Sequence, residues 1–272
     1  MICIERFADY FVPNPRVELP ERDVFGVLHG TAYEPTYGPE QGKTALAGCE
    51  FDMKSGEATV FHSLLESILD FRLMLSPFVI EVRFHYPMTL EEKVLRRLGW
   101  GERLRKSDVA TIDRVVTLQR RDTLALHLHA VSVKPEELLP DDKVKRRHER
   151  ERLYAESRGA TWETVGSEWH RKFTSRNLAF IRSCCLDSNV SAFYDDAVEF
   201  ARRIKRSEAR GSLDRRISLV AGRMNYSALD GYRLFGAAIC TGLLAVDDDY
   251  RLDPAYPLRL LEKGDAGRHR HH

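Results

Sequence analysis

Three residues of this chain could do chemistry together. Glu66 sits in an amphipathic segment, Asp113 lies in Thr-Ile-Asp-Arg-Val-Val, and Lys134 follows the apolar run Ala130-Val-Ser-Val133. An acid on a helix, an acid at a strand start and a lysine at the end of the next strand can converge on one spot. Phosphodiester hydrolysis calls for that set. Carboxylates hold a divalent metal, the metal polarises the phosphate and activates water, and the lysine neutralises developing charge. Each residue also has a structural explanation. Glu66 stands three residues after Ser63, the spacing of a capping box. Asp113 could be an edge-strand charge, although acids are depleted in strands. Lys134 could be a strand-end lysine with its head in water. Their order along the chain favours chemistry.

The elements that must position them are legible. Cys49–Met53 and Ala58–Phe61, around a Lys-Ser-Gly-Glu turn, read as a β-hairpin. Leu64, Leu65, Ile68, Leu69, Leu73 and Met74 recur at helical spacing up to Ser76-Pro77. Residues 78–86 alternate as a strand that ends at Pro87. Residues 110–118 and 124–133 read as two further strands joined by a turn, the second apolar on both faces and so central. Asp113 and Lys134 then sit near the open end of adjacent strands, where side chains are neighbours. Asp108 precedes the strand and would be less fixed. A charged helix over 143–158, closed by Gly159, and a strand over 161–165 complete a mixed α/β sandwich.

Beyond residue 168 the pattern is helical: about 170–185, 190–206, 213–222 and 228–240. Residues 242–252 read as strand, turn, strand, which after helices suggests a winged helix-turn-helix. Residues 1–47 are rich in Pro and Gly and read as an irregular arm, and 263–272 as a disordered, histidine-rich tail. The expected organisation is an arm (1–47), a catalytic α/β domain (48–168), a small, mostly helical winged-helix-like domain (169–262) and the tail.

Composition bounds the function. The chain has 272 residues, 43% hydrophobic and 31% charged, which argues for a folded soluble protein. No apolar run approaches the ~20 residues that span a bilayer. The N-terminus lacks a secretory pattern, so a cytoplasmic location with no membrane association is expected. Five cysteines without a C-x-x-C argue against a zinc site or a dithiol motif. His127 and His129 share a strand face but have no third ligand at a suggestive spacing. Net charge is +1, yet Lys143–Arg152 and Arg202–Arg206 are locally basic. Such runs are usually solvated faces, but local patches can hold phosphates.

Together, Glu…Asp…x-Val-Lys resembles the PD-(D/E)xK nuclease pattern. The surrounding text is similar to one branch of it, the TnsA endonuclease subunit of heteromeric, cut-and-paste DNA transposases. Ser63-Leu-Leu-Glu66, Phe78–Pro87, Thr111–Val116, Val131–Pro135, Tyr154, Gly159 and Trp162–Val165 follow that family's motifs in order. The resemblance covers about 45–170 well and 170–262 loosely. It implies a restriction-endonuclease-like mixed sheet with flanking helices, and a DNA endonuclease cutting at transposon ends. The implied partners are a TnsB-like DDE transposase and a TnsC-like AAA+ ATPase. Glu66 and Asp113 would ligate Mg²⁺, for which Mn²⁺ could substitute, with Ser132 or a backbone carbonyl at Val133 completing the set. Lys134 would position water or stabilise the phosphorane. Arg146 and Arg150 would contact backbone phosphates, and His85 is a candidate for phosphate or water. Two positions depart from the family. Ser132 stands where an acid or Gln is usual, and Ile112 where a proline or small residue is. Ser132 favours a rival function, a non-catalytic DNA-binding or assembly subunit on a nuclease scaffold. A stand-alone restriction or repair endonuclease shares the chemistry but not the partners.

Overall fold

The computed structural model describes residues 10–11, 17–38, 40, 46–54, 58–88, 109–166, 174–185, 190–207, 209–247 and 249–261. Asp108, the boundary at 168–169 and the tail from 263 lie outside the described residues.

A mixed sheet runs in the order β4 (Val79–Pro87), β5 (Thr111–Arg120), β6 (Leu126–Val133), β7 (Thr161–Val165). The first three strands are antiparallel and β7 joins β6 in parallel. A two-residue strand, β1 (Tyr10–Phe11), pairs with Gln119 and Arg120 at the far end of β5. A separate hairpin pairs β2 (Gly48–Phe51) with β3 (Ala58–Phe61). A parallel pair cannot be closed by a tight turn and needs a crossover. Here α2 (Asp142–Glu156) makes it.

Helix α1 (Leu64–Leu75) covers one face. Its Leu69, Leu73 and Met74 pack on Val82, Phe84, Val116, Val131 and Val133. On the other face, Val115, Leu128 and Ala130 meet Ala155 of α2 and Ala160. Strands β5 and β6 are therefore buried on both sides, as their continuous apolar runs require. The described residues of the arm pack against this sheet. His29 Nδ1 lies 2.7 Å from Glu81 Oε2, the Tyr86 hydroxyl donates to Asp23 at 2.6 Å, and Phe25 joins the core.

Four helices follow: α3 (Thr174–Cys185), α4 (Tyr194–Arg206), α5 (Leu213–Gly222) and α6 (Ala228–Cys240). Ser212 and Ser227 cap α5 and α6 through their hydroxyls. Their core includes Phe200, Ile204, Leu213, Ile217, Leu234 and Phe235, and Met53 and Leu75 of the α/β unit extend it. Arg182 of α3 pairs with Glu50 and lies over the Phe71 ring, 5.1 Å from its centroid. The helical unit is thus seated on the hairpin and on α1. Among the described residues, no helix is long and apolar enough to cross a membrane.

The wing is not formed as expected. In place of strand, turn, strand over 242–252 there is one isolated antiparallel bridge, Val246 to Leu260. Asp247 folds its carboxylate onto the Asp249 amide at 3.0 Å, and Pro254 and Pro257 interrupt the return segment. Acids that bond their own backbone, and prolines without a donor, both oppose a ladder. The loop is held instead by Asn177, which accepts from Leu252 N and donates to Tyr250 O.

Helices α3 and α6 approach closely at Gly236. A Cβ there would lie 2.5 Å from Cys185 Sγ and 3.0 Å from Cys184 Cβ. Gly236→Ala should therefore cost about 1–3 kcal/mol by overpacking. Urea unfolding should show a lower midpoint, and an unchanged midpoint would refute the close approach.

Candidate functional site

The site lies where β5 and β6 part. Their backbone pairing runs from Gln119–Leu126 to Arg114–Val131 and stops there. The Val133 amide is answered by a side chain, Asp113 Oδ2, at 2.9 Å. Asp113 is thus fixed at the mouth of the fork, only 7% exposed. The Lys134 Nζ reaches to 3.9 Å from the same oxygen. The expected pairing of Asp113 with Lys134 across the open strand ends is present.

Asp113 Oδ1 accepts a hydrogen bond from Arg147 Nη2 at 2.8 Å. Arg147 projects from α2, and its Nε donates to Glu151 at 2.5 Å. Glu151, buried one turn on, also accepts from the Ser132 hydroxyl. Ser132 therefore does not stand alone in the acid position, because α2 brings a carboxylate to it. Burial pushes the Asp113 carboxyl up, but the Arg147 guanidinium and then the Lys134 ammonium outweigh it and hold it down, to about 2. Burial also pushes Glu151 up, and there it outweighs the Arg147 charge, so its pKa is raised. Two carboxylates on one guanidinium are thus driven apart in acidity.

Glu66 is reached through Arg114, the next residue along β5. The two Nη groups of Arg114 donate to the Asp113 carbonyl at 2.6 Å and to Glu66 Oε2 at 3.0 Å. Its Nε and Nη2 also grip Asp70 at 2.5 and 2.8 Å. Burial works against this charge, but Asp70 and then Glu66 outweigh it and raise the Arg114 pKa. Glu66 keeps its capping role as well. Its amide donates to Ser63 Oγ at 3.2 Å and its carboxylate accepts from the His62 amide at 3.0 Å.

His85 sits on β4 between the pairs Phe84–Arg114 and Tyr86–Ile112. Its φ of 47° is uncommon for a residue with a side chain. The ring stacks on His62 with centroids 4.3 Å apart, and its buried Nε2 has no hydrogen-bond partner among the described residues. Burial, then the charges of Arg114 and His62, push its pKa down to about 3. The imidazole is neutral at neutral pH, held between the Glu66 and Asp113 sides of the site.

Of the expected site residues, Asp113, Ser132, Val133 and Lys134 meet at the fork. Glu66 and His85 border it through Arg114 and His62. Val133 takes part through its amide. Arg146 and Arg150 lie on the exposed side of α2, where Arg146 Nε turns back to Asp142 O at 3.2 Å. The arginine that enters is Arg147, between them. Sequence reasoning missed Arg147, Glu151, Asp70 and Arg114. A signal for Glu151 existed, since His148, Glu151 and Ala155 form the buried i, i+3, i+7 stripe of α2.

No three His, Cys, Asp or Glu side chains among the described residues come together to hold a metal. The cation position between Asp113 and Glu151 is taken by Arg147. His127 and His129 both bond Thr161 Oγ1, at 2.9 and 2.7 Å, as satisfied strand histidines do. Compared with protein-family models and with curated proteins, the chain matches none.

The depressed acidity of Asp113 has a consequence for stability. Its folded pKa of about 2 lies below the ordinary 3.8. Its ionisation therefore contributes roughly 2 kcal/mol above about pH 4, lost as pH falls through about 2. Urea unfolding measured across the acid range should show this loss in the wild type and a shallower one in Asp113→Asn. Parallel curves would show that the carboxylate is not held as described.

Proposed function

We propose that this protein is a metal-dependent DNA endonuclease subunit of a heteromeric transposase, with a restriction-endonuclease-like fold. It would cut DNA strands at transposon ends beside a TnsB-like DDE transposase and a TnsC-like AAA+ ATPase. The observation that carries this is the Asp113–Lys134 pair at the fork, with Asp113 Oδ2 2.9 Å from Val133 N and 3.9 Å from Lys134 Nζ. The partners and the transposon ends come from the resemblance in the sequence.

The donor set suits a hard divalent cation. Asp113 and Glu151 offer carboxylate oxygens across Arg147, and Glu66, held by Arg114, borders them. Arg147 places its positive charge between Asp113 and Glu151. Its side chain is 33% exposed, so it can withdraw toward solvent. Bound there, Mg²⁺ or Mn²⁺ would polarise the scissile phosphate and acidify a water. The chain's own residues do the rest. Asp113 stays ionised at any physiological pH because its pKa is near 2. Glu151, raised by burial, is the less acidic of the two and accepts from the Ser132 hydroxyl and from Arg147. Lys134 sets a positive charge where the phosphoryl oxygens gain negative charge. Neutral His85 can accept or donate one hydrogen bond at Nε2, to water or to a phosphate oxygen.

A second function is favoured by a specific observation. Arg147 and Arg114 together occupy Asp113, Glu151, Glu66 and Asp70. With those arginines permanent, the fold is a non-catalytic DNA-binding or assembly subunit.

Plasmid nicking with the transposase present, beside calorimetric Mg²⁺ titration, separates the two. The endonuclease requires wild-type nicking that falls at least ~100-fold in Asp113→Ala and in Lys134→Ala, since removing one charge stabiliser costs several kcal/mol of barrier. Arg147→Met should tighten Mg²⁺ binding about tenfold, roughly 1.4 kcal/mol, by freeing the Asp113–Glu151 pair. Nicking that is equal in wild type and Asp113→Ala, or absent from both, would leave the scaffold function standing.

A further inference from the structure

The second basic run, Arg202–Arg206, plays no part in the fork. It closes α4, and its guanidinium groups gather with Arg223, the C-cap of α5. Arg202, Arg203, Arg206, Ser207, Val220 and Arg223 line a pocket of about 230 Å³. Val220 is buried at its floor, while Arg202, Arg206 and Arg223 are exposed at its mouth.

The charge is unbalanced. Among the described residues, four guanidinium groups line the pocket and one carboxylate, Glu199, bonds to them. Glu199 accepts from Arg202 at 2.7 Å through both of its oxygens, and from Arg203 Nε at 2.5 Å. Arg203 Nη1 is fixed to the Arg223 carbonyl at 3.3 Å. Among the described residues, the guanidinium groups of Arg206 and Arg223 have neither hydrogen bond nor ion pair.

Helix capping does not account for these two. The carbonyls that end α4 are served by Arg216, whose Nη2 donates to Ile204 O at 2.7 Å and to Ser207 O at 3.1 Å. Nor does packing, since both side chains are exposed. Like charges held around one concavity repel, and an anion placed among them is attracted by each and offsets that repulsion. Guanidinium groups present forked donors that match the paired oxygens of a phosphate. The open mouth admits a phosphate that remains attached to a chain.

We propose that this pocket holds one backbone phosphate of duplex DNA, gripped by Arg206 and Arg223 above the fixed Arg203. DNA as the source of the phosphate rests on the proposed endonuclease function. The phosphate chemistry rests on the pocket alone.

The full chain is tested by fluorescence anisotropy with a short labelled duplex, over salt from about 50 to about 300 mM. Arg206→Glu/Arg223→Glu should weaken binding about tenfold or more at the lower salt. Arg206→Gln/Arg223→Gln, which adds no repulsion, should lower the salt slope by about 0.9, the value for one lost phosphate contact. Thermal melting should be unchanged in both, because neither side chain holds the fold. Unchanged affinity and slope in both variants overturn the proposal. So does the case in which inorganic phosphate binds the wild type and not the variants while duplex binding is equal in all, because the ligand is then free phosphate. Asp113→Ala serves as the independent arm. It should lose nicking and keep wild-type duplex affinity, so failure of the endonuclease function and failure of the pocket are read separately.

Discussion

A guanidinium with no exposure to water must be answered from within, and Arg114 is one of two such groups among the described residues, with Arg83. Arg114 stands in the middle of β5 and holds Asp70 with two donors, Glu66 with one and the Asp113 carbonyl with another. Removing one partner from a buried ionic cluster typically costs about 3–5 kcal/mol, because the remaining charge is stranded. The cluster therefore sets where α1 lies on the sheet. Asp70 is one turn after Glu66, so fixing one fixes the other. The helical unit depends on the same placement, since Leu75 of α1 extends its core.

The second constraint is the parting of β5 and β6. A strand pair that separates leaves amides without partners, and a buried orphan amide costs as much as a lost hydrogen bond. Asp113 removes that cost by accepting from Val133. The bond also desolvates the carboxylate, which then needs positive charge, and Arg147 and Lys134 supply it. One aspartate thus ends a ladder, gathers two cations from two elements and faces the fork. A purely structural acid would need only the first of these.

Most of the fold was legible because it follows periodicity. The Ser63 cap, the strands, the 213–222 and 228–240 helices and the β5–β6 hairpin follow from apolar spacing and turn residues. The Asp113–Lys134 pairing followed from them, because antiparallel neighbours at the open end of a hairpin are fixed by register. The arginines were not legible. Helix α2 is polar on every side, so hydropathy cannot say which of Arg146, Arg147 and Arg150 faces inward. Its inward stripe is marked only by Ala155 and is otherwise His148 and Glu151. Arg114 and Asp70 are 44 residues apart in sequence, and no local spacing announces a buried pair at that range. The wing failed for a different reason. Apolar residues flank an acidic turn over 242–252, but Asp247 bonds the Asp249 amide and the pairing is a single bridge, Val246 to Leu260.

Charge decides between the two states of the fork. Glu66, Asp70, Asp113 and Glu151 bring four negative charges when ionised, and Arg114, Lys134 and Arg147 bring three positive ones. With all four ionised the cluster carries one uncompensated negative charge, and burial raises the pKa of two of its members, Glu151 and Asp70, the latter to about 6. Arg147→Lys would leave that charge in place. Replacing Arg147 by a divalent cation would cancel it, with the freed guanidinium returned to solvent, where it costs little. The same exchange would leave Arg147 next to the fork as a free cation, positioned to meet an incoming phosphate. On the endonuclease proposal, the arginine and the metal are therefore competitors in the absence of DNA and cooperate once a phosphate is present. A scaffold has no such coupling, since its arginine has nothing to exchange with.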